Sequence, residues 1–97
     1  MTDLERFKKI LNEHRGELEG EYSVCNIGLF GSYVREDQAT GSDLDILVEF
    51  SQPISLLRFV NPKRRLSELL DVDVDLVMKK ALKPRIGERI LSEVVYI

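Results

Sequence analysis

Two apolar runs, VCNIGLF at residues 24–30 and LDILVEF at residues 44–50, are joined by Gly31-Ser32, ten further residues and Asp43. This spacing constrains the fold more than any other feature. Both runs have the length and composition of strands. A link of about ten residues is too short for an ordinary parallel crossover, so the two strands are expected to be antiparallel neighbours. A third run, VDVDLVM at 72–78, follows the stretch PISLLRFVNPKRRLSELLD. There Leu56, Phe59/Val60, Leu66 and Leu69/Leu70 recur at helical spacing. A long helix at that point permits parallel pairing of the second and third strands. Pro62 predicts a kink, or a break with Pro62 opening a new turn.

In residues 3–19, Leu4, Phe7, Ile10/Leu11 and Leu18 fall close to helical spacing, Thr2 or Asp3 can cap the start, and Gly20 marks the exit. Near the end, Pro84 stands at a favourable first helical position, with Ile86, Ile90 and Leu91 on one face. The closing VVYI either packs against the domain or docks a partner. The expectation is a small α/β (α+β) domain, a mixed three-stranded sheet with helices packed mainly on one face. The 97 residues suit a single domain spanning residues 1–97 with one modest core.

Composition excludes several classes. A hydrophobic fraction of 43% with 32% charged residues argues against disorder. No apolar stretch approaches the roughly 18–20 residues that span a bilayer, and MTDLERFKK lacks a signal layout. A cytoplasmic protein that makes no membrane contact is expected. Net charge is -3, with no basic stripe, which argues against direct binding of nucleic acid. Of the short basic clusters, Lys63-Arg64-Arg65 reads as a solvated helix face. Lys79-Lys80, with Lys83 and Arg85 beyond, follows a strand and could approach phosphate. Cys25, the only cysteine, is expected as a buried structural thiol in a reducing compartment. His14, without a second histidine, reads as a structural or surface residue.

Successive strand side chains point to opposite faces. Asp43 and Asp45 therefore share one face, with Leu44 and Ile46 on the other. Asp73 and Asp75 repeat the arrangement against Val72, Val74 and Leu76. On adjacent strands these carboxylates converge at one edge of the sheet, where they repel one another and raise their own pKa values. A divalent cation removes that repulsion, and Mg²⁺ suits oxygen ligands completed by water and phosphate. The competing reading makes them the solvent face of a half-exposed sheet. Asp is depleted from strands, yet Asp-x-Asp occurs twice, which favours the metal site. Gly31-Ser32 directly follows the first strand and opens a short helix, SYVRED. Glycine lets the backbone approach a ligand closely, and Ser32 can cap the helix or offer its hydroxyl and amide to a phosphate.

Gly31-Ser32, ten residues, then Asp43-Leu44-Asp45-Ile46 resembles the motif of the nucleotidyltransferase superfamily that includes DNA polymerase beta. VDLV at 74–77 is similar to the strand that supplies that family's third carboxylate, here Asp75. The stretches FGSYVR, SDLDILVEF and VDLV, on a chain of this size, resemble the minimal nucleotidyltransferases of bacteria and archaea. Within these, the resemblance is to the antitoxin half of HEPN–minimal nucleotidyltransferase pairs. It implies a nucleotidyltransferase fold with Asp43, Asp45 and Asp75 as catalytic ligands of two Mg²⁺ ions. It also implies that Gly31 and Ser32 position the phosphates of the substrate ATP. Arg35 would contact phosphate or form a structural ion pair, and Asp73 lies outside the pattern. The implied activity is transfer of AMP from ATP to a tyrosine of a partner HEPN ribonuclease toxin, alone or within a homo- or hetero-oligomer. The alternatives are an antitoxin that acts by binding alone, or a small-molecule nucleotidyltransferase. Two positions depart from the pattern. Glu36 stands where members often have glycine, and Pro62 falls where relatives often carry an uninterrupted helix.

Overall fold

A computed structural model describes residues 2–97, except for the side chain of Leu56. The elements run α1 (Asp3–Glu13), α2 (Arg15–Tyr22), β1 (Val24–Phe30), α3 (Ser32–Arg35), β2 (Leu44–Phe50) and α4 (Leu56–Leu70). They continue with β3 (Val74–Met78), a 3₁₀ turn at Lys79–Ala81, α5 (Pro84–Glu93) and β4 (Val95–Tyr96). As the short link required, β1 pairs antiparallel with β2. The α4 crossover brings β3 parallel to β2.

The sheet has four strands rather than three, in the order β3-β2-β1-β4. The closing VVYI supplies the extra strand, pairing Tyr96 with Gly28 and Val95 with Leu29. A residue with a side chain at position 28 would block this pairing, because its Cβ would lie 2.6 Å from Val94 Cγ2. Two residues of strand carry too little pattern to be read as one.

Helices α1, α2 and α4 cover one face of the sheet. Phe7, Leu11, Leu18, Leu66 and Leu70 pack there on Ile27, Leu29, Leu44, Ile46, Val48, Val74 and Leu76. Each such side chain contributes roughly 1.5–3 kcal/mol of transfer free energy, which makes this layer the main source of stability. On the opposite face a smaller cluster of Phe30, Leu47 and Ile90 joins α5 to the sheet. Leu56, expected on the core face of α4, has its side chain outside the described residues.

Several local expectations change. The first helix does not run unbroken to Gly20. It stops at Glu13, turns at His14, and resumes as α2, leaving through Ser23 in a left-handed conformation at φ 59°. Thr2 caps α1 by accepting from the Glu5 amide at 3.1 Å. Pro62 does not break α4. Its side chain is fully buried, and the helix continues through it to Leu70.

Cys25 is exposed, not buried. A bulge between Val24 and Asn26 takes it out of the alternation, so Val24 and Ile27, three residues apart, both face the core. The third strand starts at Val74, leaving Asp73 in the preceding turn, where its carbonyl accepts from Leu44 N at 2.8 Å.

Lys63 and Arg64 are solvated as expected. Arg65, in contrast, binds Glu17 of α2 through two hydrogen bonds, at 2.5 and 2.9 Å. The Arg65 hydrogen bond is the main cause that holds the Glu17 carboxyl below its ordinary pKa, with His14 adding a smaller effect. A carboxyl depressed on folding stabilises the protein above its unfolded pKa of about 4.3, and that stability is lost as pH falls through the lower folded value. Urea midpoints are therefore expected to differ between wild type and Glu17→Gln at pH 7. The difference should shrink as acidification protonates Glu17, and a gap that stays constant however far the pH is lowered would refute this.

Candidate active site

Gly31 ends β1 and caps α3 from a backbone conformation of φ 83°, ψ -154°. Only glycine adopts this region readily. An added Cβ would lie 1.9 Å from Asp45 Oδ2. The bare backbone of the Gly-Ser turn is thus stacked directly on the Asp45 carboxylate. Sheet pairing explains this proximity, since Phe30, the residue before Gly31, is the register partner of Asp45.

On the other side of β2, Asp45 is in register with Asp75 of β3. Parallel register places the two side chains on the same face, next to each other across one strand spacing of about 4.8 Å. Asp43 lies just ahead of β2 and is exposed. The Asp45 carboxyl is pushed above the usual carboxylate range, first by partial burial, then by the charges of Asp75 and Asp43, while Arg35 opposes the shift. The expected repulsion among these carboxylates is therefore present at Asp45.

Among the described residues, no group of three or more His, Cys, Asp or Glu side chains is drawn together as a ready-made metal cage. The donor set is open: Asp45 and Asp75 side by side, with Asp43 at the strand head. Such a set fits Mg²⁺, which binds through one or two carboxylates and takes further ligands from water and substrate phosphate.

Arg35, the last residue of α3, is engaged by carboxylates. Its Nε donates to Asp37 Oδ2 at 3.2 Å, and one terminal nitrogen donates to Glu93 Oε1 and Oε2 at 3.2 and 3.3 Å. Arg35 thus forms the structural ion pair that was one of the two roles weighed for it. Glu93 also accepts from the Gly31 amide at 3.1 Å. Sequence reasoning missed Glu93. A signal existed, since Glu93 falls three residues after Ile90, where a helix returns to the same face.

The second basic cluster does not reach this site. Because β3 runs parallel to β2, residues beyond Met78 emerge at the far end of the sheet, about 13 Å along the strand from Asp75. There Lys79 pairs with Glu49 at 3.3 Å, and Lys83 and Arg85 are exposed at the start of α5.

Glu36, where a glycine was the alternative, adopts φ 61°, ψ 31° at the end of α3. A left-handed conformation costs an ordinary residue roughly 1 kcal/mol. Glu36→Gly is expected to raise stability by about 0.5 kcal/mol, part of the gain being lost to the greater freedom of glycine in the unfolded chain. A lower urea midpoint in this variant would count against the strained conformation.

The sheet, the Gly-Ser turn and the paired carboxylates define a nucleotidyltransferase. Residues 4–97 match the nucleotidyltransferase domain, and the chain belongs to this family. It is 46% identical over 97 residues to the protein adenylyltransferase MntA of Thermococcus cleftensis, covering 100% of this chain and 98% of that protein. Among solved structures it is similar to a toxin–antitoxin crystallised with AMP-PNP, with a TM-score of 0.72 and 26% identity over 93% of this chain and 70% of that one. A complex of a tri-AMPylated Shewanella oneidensis HEPN toxin with an MNT antitoxin shares the fold at TM-score 0.66 and 22% identity, over 98% of this chain and 71% of that one.

Proposed function

We propose that this protein is a Mg²⁺-dependent, cytoplasmic protein adenylyltransferase that transfers AMP from ATP to a tyrosine of a HEPN ribonuclease toxin and so acts as its antitoxin. The observation that carries this reading is the Asp45 carboxylate, in register with Asp75 on one side and backed by the bare Gly31 turn on the other. Identity to a protein adenylyltransferase along the whole chain supports protein as the acceptor class. The HEPN partner rests on the toxin–antitoxin complexes that share the fold.

In this reading the Gly31-Ser32 turn receives the β- and γ-phosphates, with the Ser32 hydroxyl as a donor. Asp43, Asp45 and Asp75 would hold Mg²⁺. When bound, the metal supplies charge neutralisation on the triphosphate and lowers the pKa of the attacking hydroxyl. Through that metal the carboxylates would orient the α-phosphate toward the acceptor brought by the partner, with pyrophosphate as the leaving group. Arg35 remains tied to Glu93 and Asp37, and it shapes the turn more than it binds phosphate.

The test incubates the protein with Mg²⁺ and the protein encoded by the adjacent gene, with ATP labelled at the α- or γ-phosphate. Label on the partner from α-labelled ATP only, lost in Asp45→Asn, is the expected result. A tight complex without label transfer would replace this reading with neutralisation by binding alone.

A further inference from the structure

We propose that Glu93 is a positioning residue for the nucleotide. From the last turn of α5 its single carboxylate holds both ends of the four-residue helix that carries the Gly-Ser turn. This inference rests on the reading that the turn receives ATP phosphates.

The contacts are specific. Glu93 Oε1 accepts from the Gly31 amide at 3.1 Å, and both carboxylate oxygens accept from Arg35 at 3.2 and 3.3 Å. Gly31 is the cap of α3 and Arg35 its last residue. A helix of four residues cannot hold itself, because nucleation fixes several residues for one hydrogen bond. Its geometry must come from tertiary contacts. Tyr33 and Val34 supply apolar packing on the core side, and Glu93 supplies the polar grip at both ends.

Glu93 is itself well anchored. Val94 packs in the cluster of Phe30, Leu47 and Ile90, and Val95 pairs with Leu29 of β1, two residues before Gly31. Helix α5 and β4 thus form a brace that returns to the strand from which the turn departs. Glu93 takes the amide of Gly31, whereas the donor assigned to phosphate is the Ser32 hydroxyl. Charge-assisted hydrogen bonds are the stronger kind, and removing one leaves the part-buried Gly31 donor without a partner.

The experiment compares ¹⁵N-labelled wild type, Glu93→Ala and Glu93→Gln. In Glu93→Ala the Gly31 amide is expected to exchange with solvent roughly ten times faster, and affinity for AMP-PNP with Mg²⁺ is expected to fall roughly tenfold. Glu93→Gln keeps an acceptor for Gly31 but no charge facing Arg35. It should preserve Gly31 protection, recover part of the affinity and shift the signal of the Arg35 terminal Nη–H group that faces Glu93. Unchanged Gly31 exchange or unchanged affinity in Glu93→Ala overturns the proposal. So does an unmoved Arg35 signal in Glu93→Gln, which decides the matter if the alanine variant fails to fold. A wild type that does not bind AMP-PNP counts against the nucleotide reading instead, while Gly31 exchange still decides whether Glu93 holds the turn.

Discussion

Gly31→Ala is expected to abolish AMP transfer and to destabilise the protein by roughly 2–6 kcal/mol. Two costs add. The backbone at φ 83°, ψ -154° lies in a region where a residue with a side chain is strained by about 1–3 kcal/mol. The new methyl would also stand 1.9 Å from Asp45 Oδ2 and 2.9 Å from its carboxyl carbon, and forced overpacking costs roughly a further 1–3 kcal/mol. Asp45 cannot retreat freely, because β2 is held between β1 and β3. Either the turn lifts off or the carboxylate rotates away from Asp75, and both separate the parts of the site. A domain of this size has only about 5–15 kcal/mol of total stability. Urea denaturation and the α-labelled ATP assay measure the two effects. Wild-type stability in Gly31→Ala would falsify the stacking of the turn on Asp45.

Asp45→Asn is expected to separate activity from stability. Transfer should fall roughly a thousandfold, since charge stabilisation by a cation held at Asp45 would be worth several kcal/mol in the transition state. The melting temperature should stay the same or rise. Asp45 is partly buried beside Asp75 and Asp43, and its raised pKa shows that folding opposes its charge. The neutral amide has nearly the same shape without that penalty. Loss of transfer together with a lower melting temperature would mean that Asp45 is a structural residue. Retained transfer would remove it from the catalytic role.

Both predictions concern residues visible in the sequence, but their coupling was not. Alternation alone put Asp45 opposite Leu44 and Ile46, and two buried neighbours confirm that reading. The Gly-Ser turn was legible because it directly follows an apolar run. That Gly31 must remain bare because of Asp45 depended on the β1–β2 register. Arg35 was placed near the site by resemblance, while its ties to Glu93 and Asp37 depend on where α5 ends.

Misreadings came from features too short or too irregular to have a period. The bulge at Cys25 exposed a residue that strict alternation would bury. Two residues of β4 became a strand only because Gly28 leaves room for them. Basic residues after β3 could approach phosphate in linear order, but the parallel direction of that strand carries them to the far end of the sheet.

By itself the sequence determined the order of the first three strands, the antiparallel pairing of β1 with β2, the room for a parallel β3, and the Asp-x-Asp pairs that precede or open β2 and β3. These follow from local periodicity and from the length of each connection, which are properties of neighbouring residues. Only the tertiary structure decided that Asp45 and Asp75 stand in register, that Gly31 is stacked on Asp45, and that Glu93 grips the turn. Each of these is a contact between segments far apart in the chain, and its geometry is set by how the strands and α5 pack together, which no local pattern encodes.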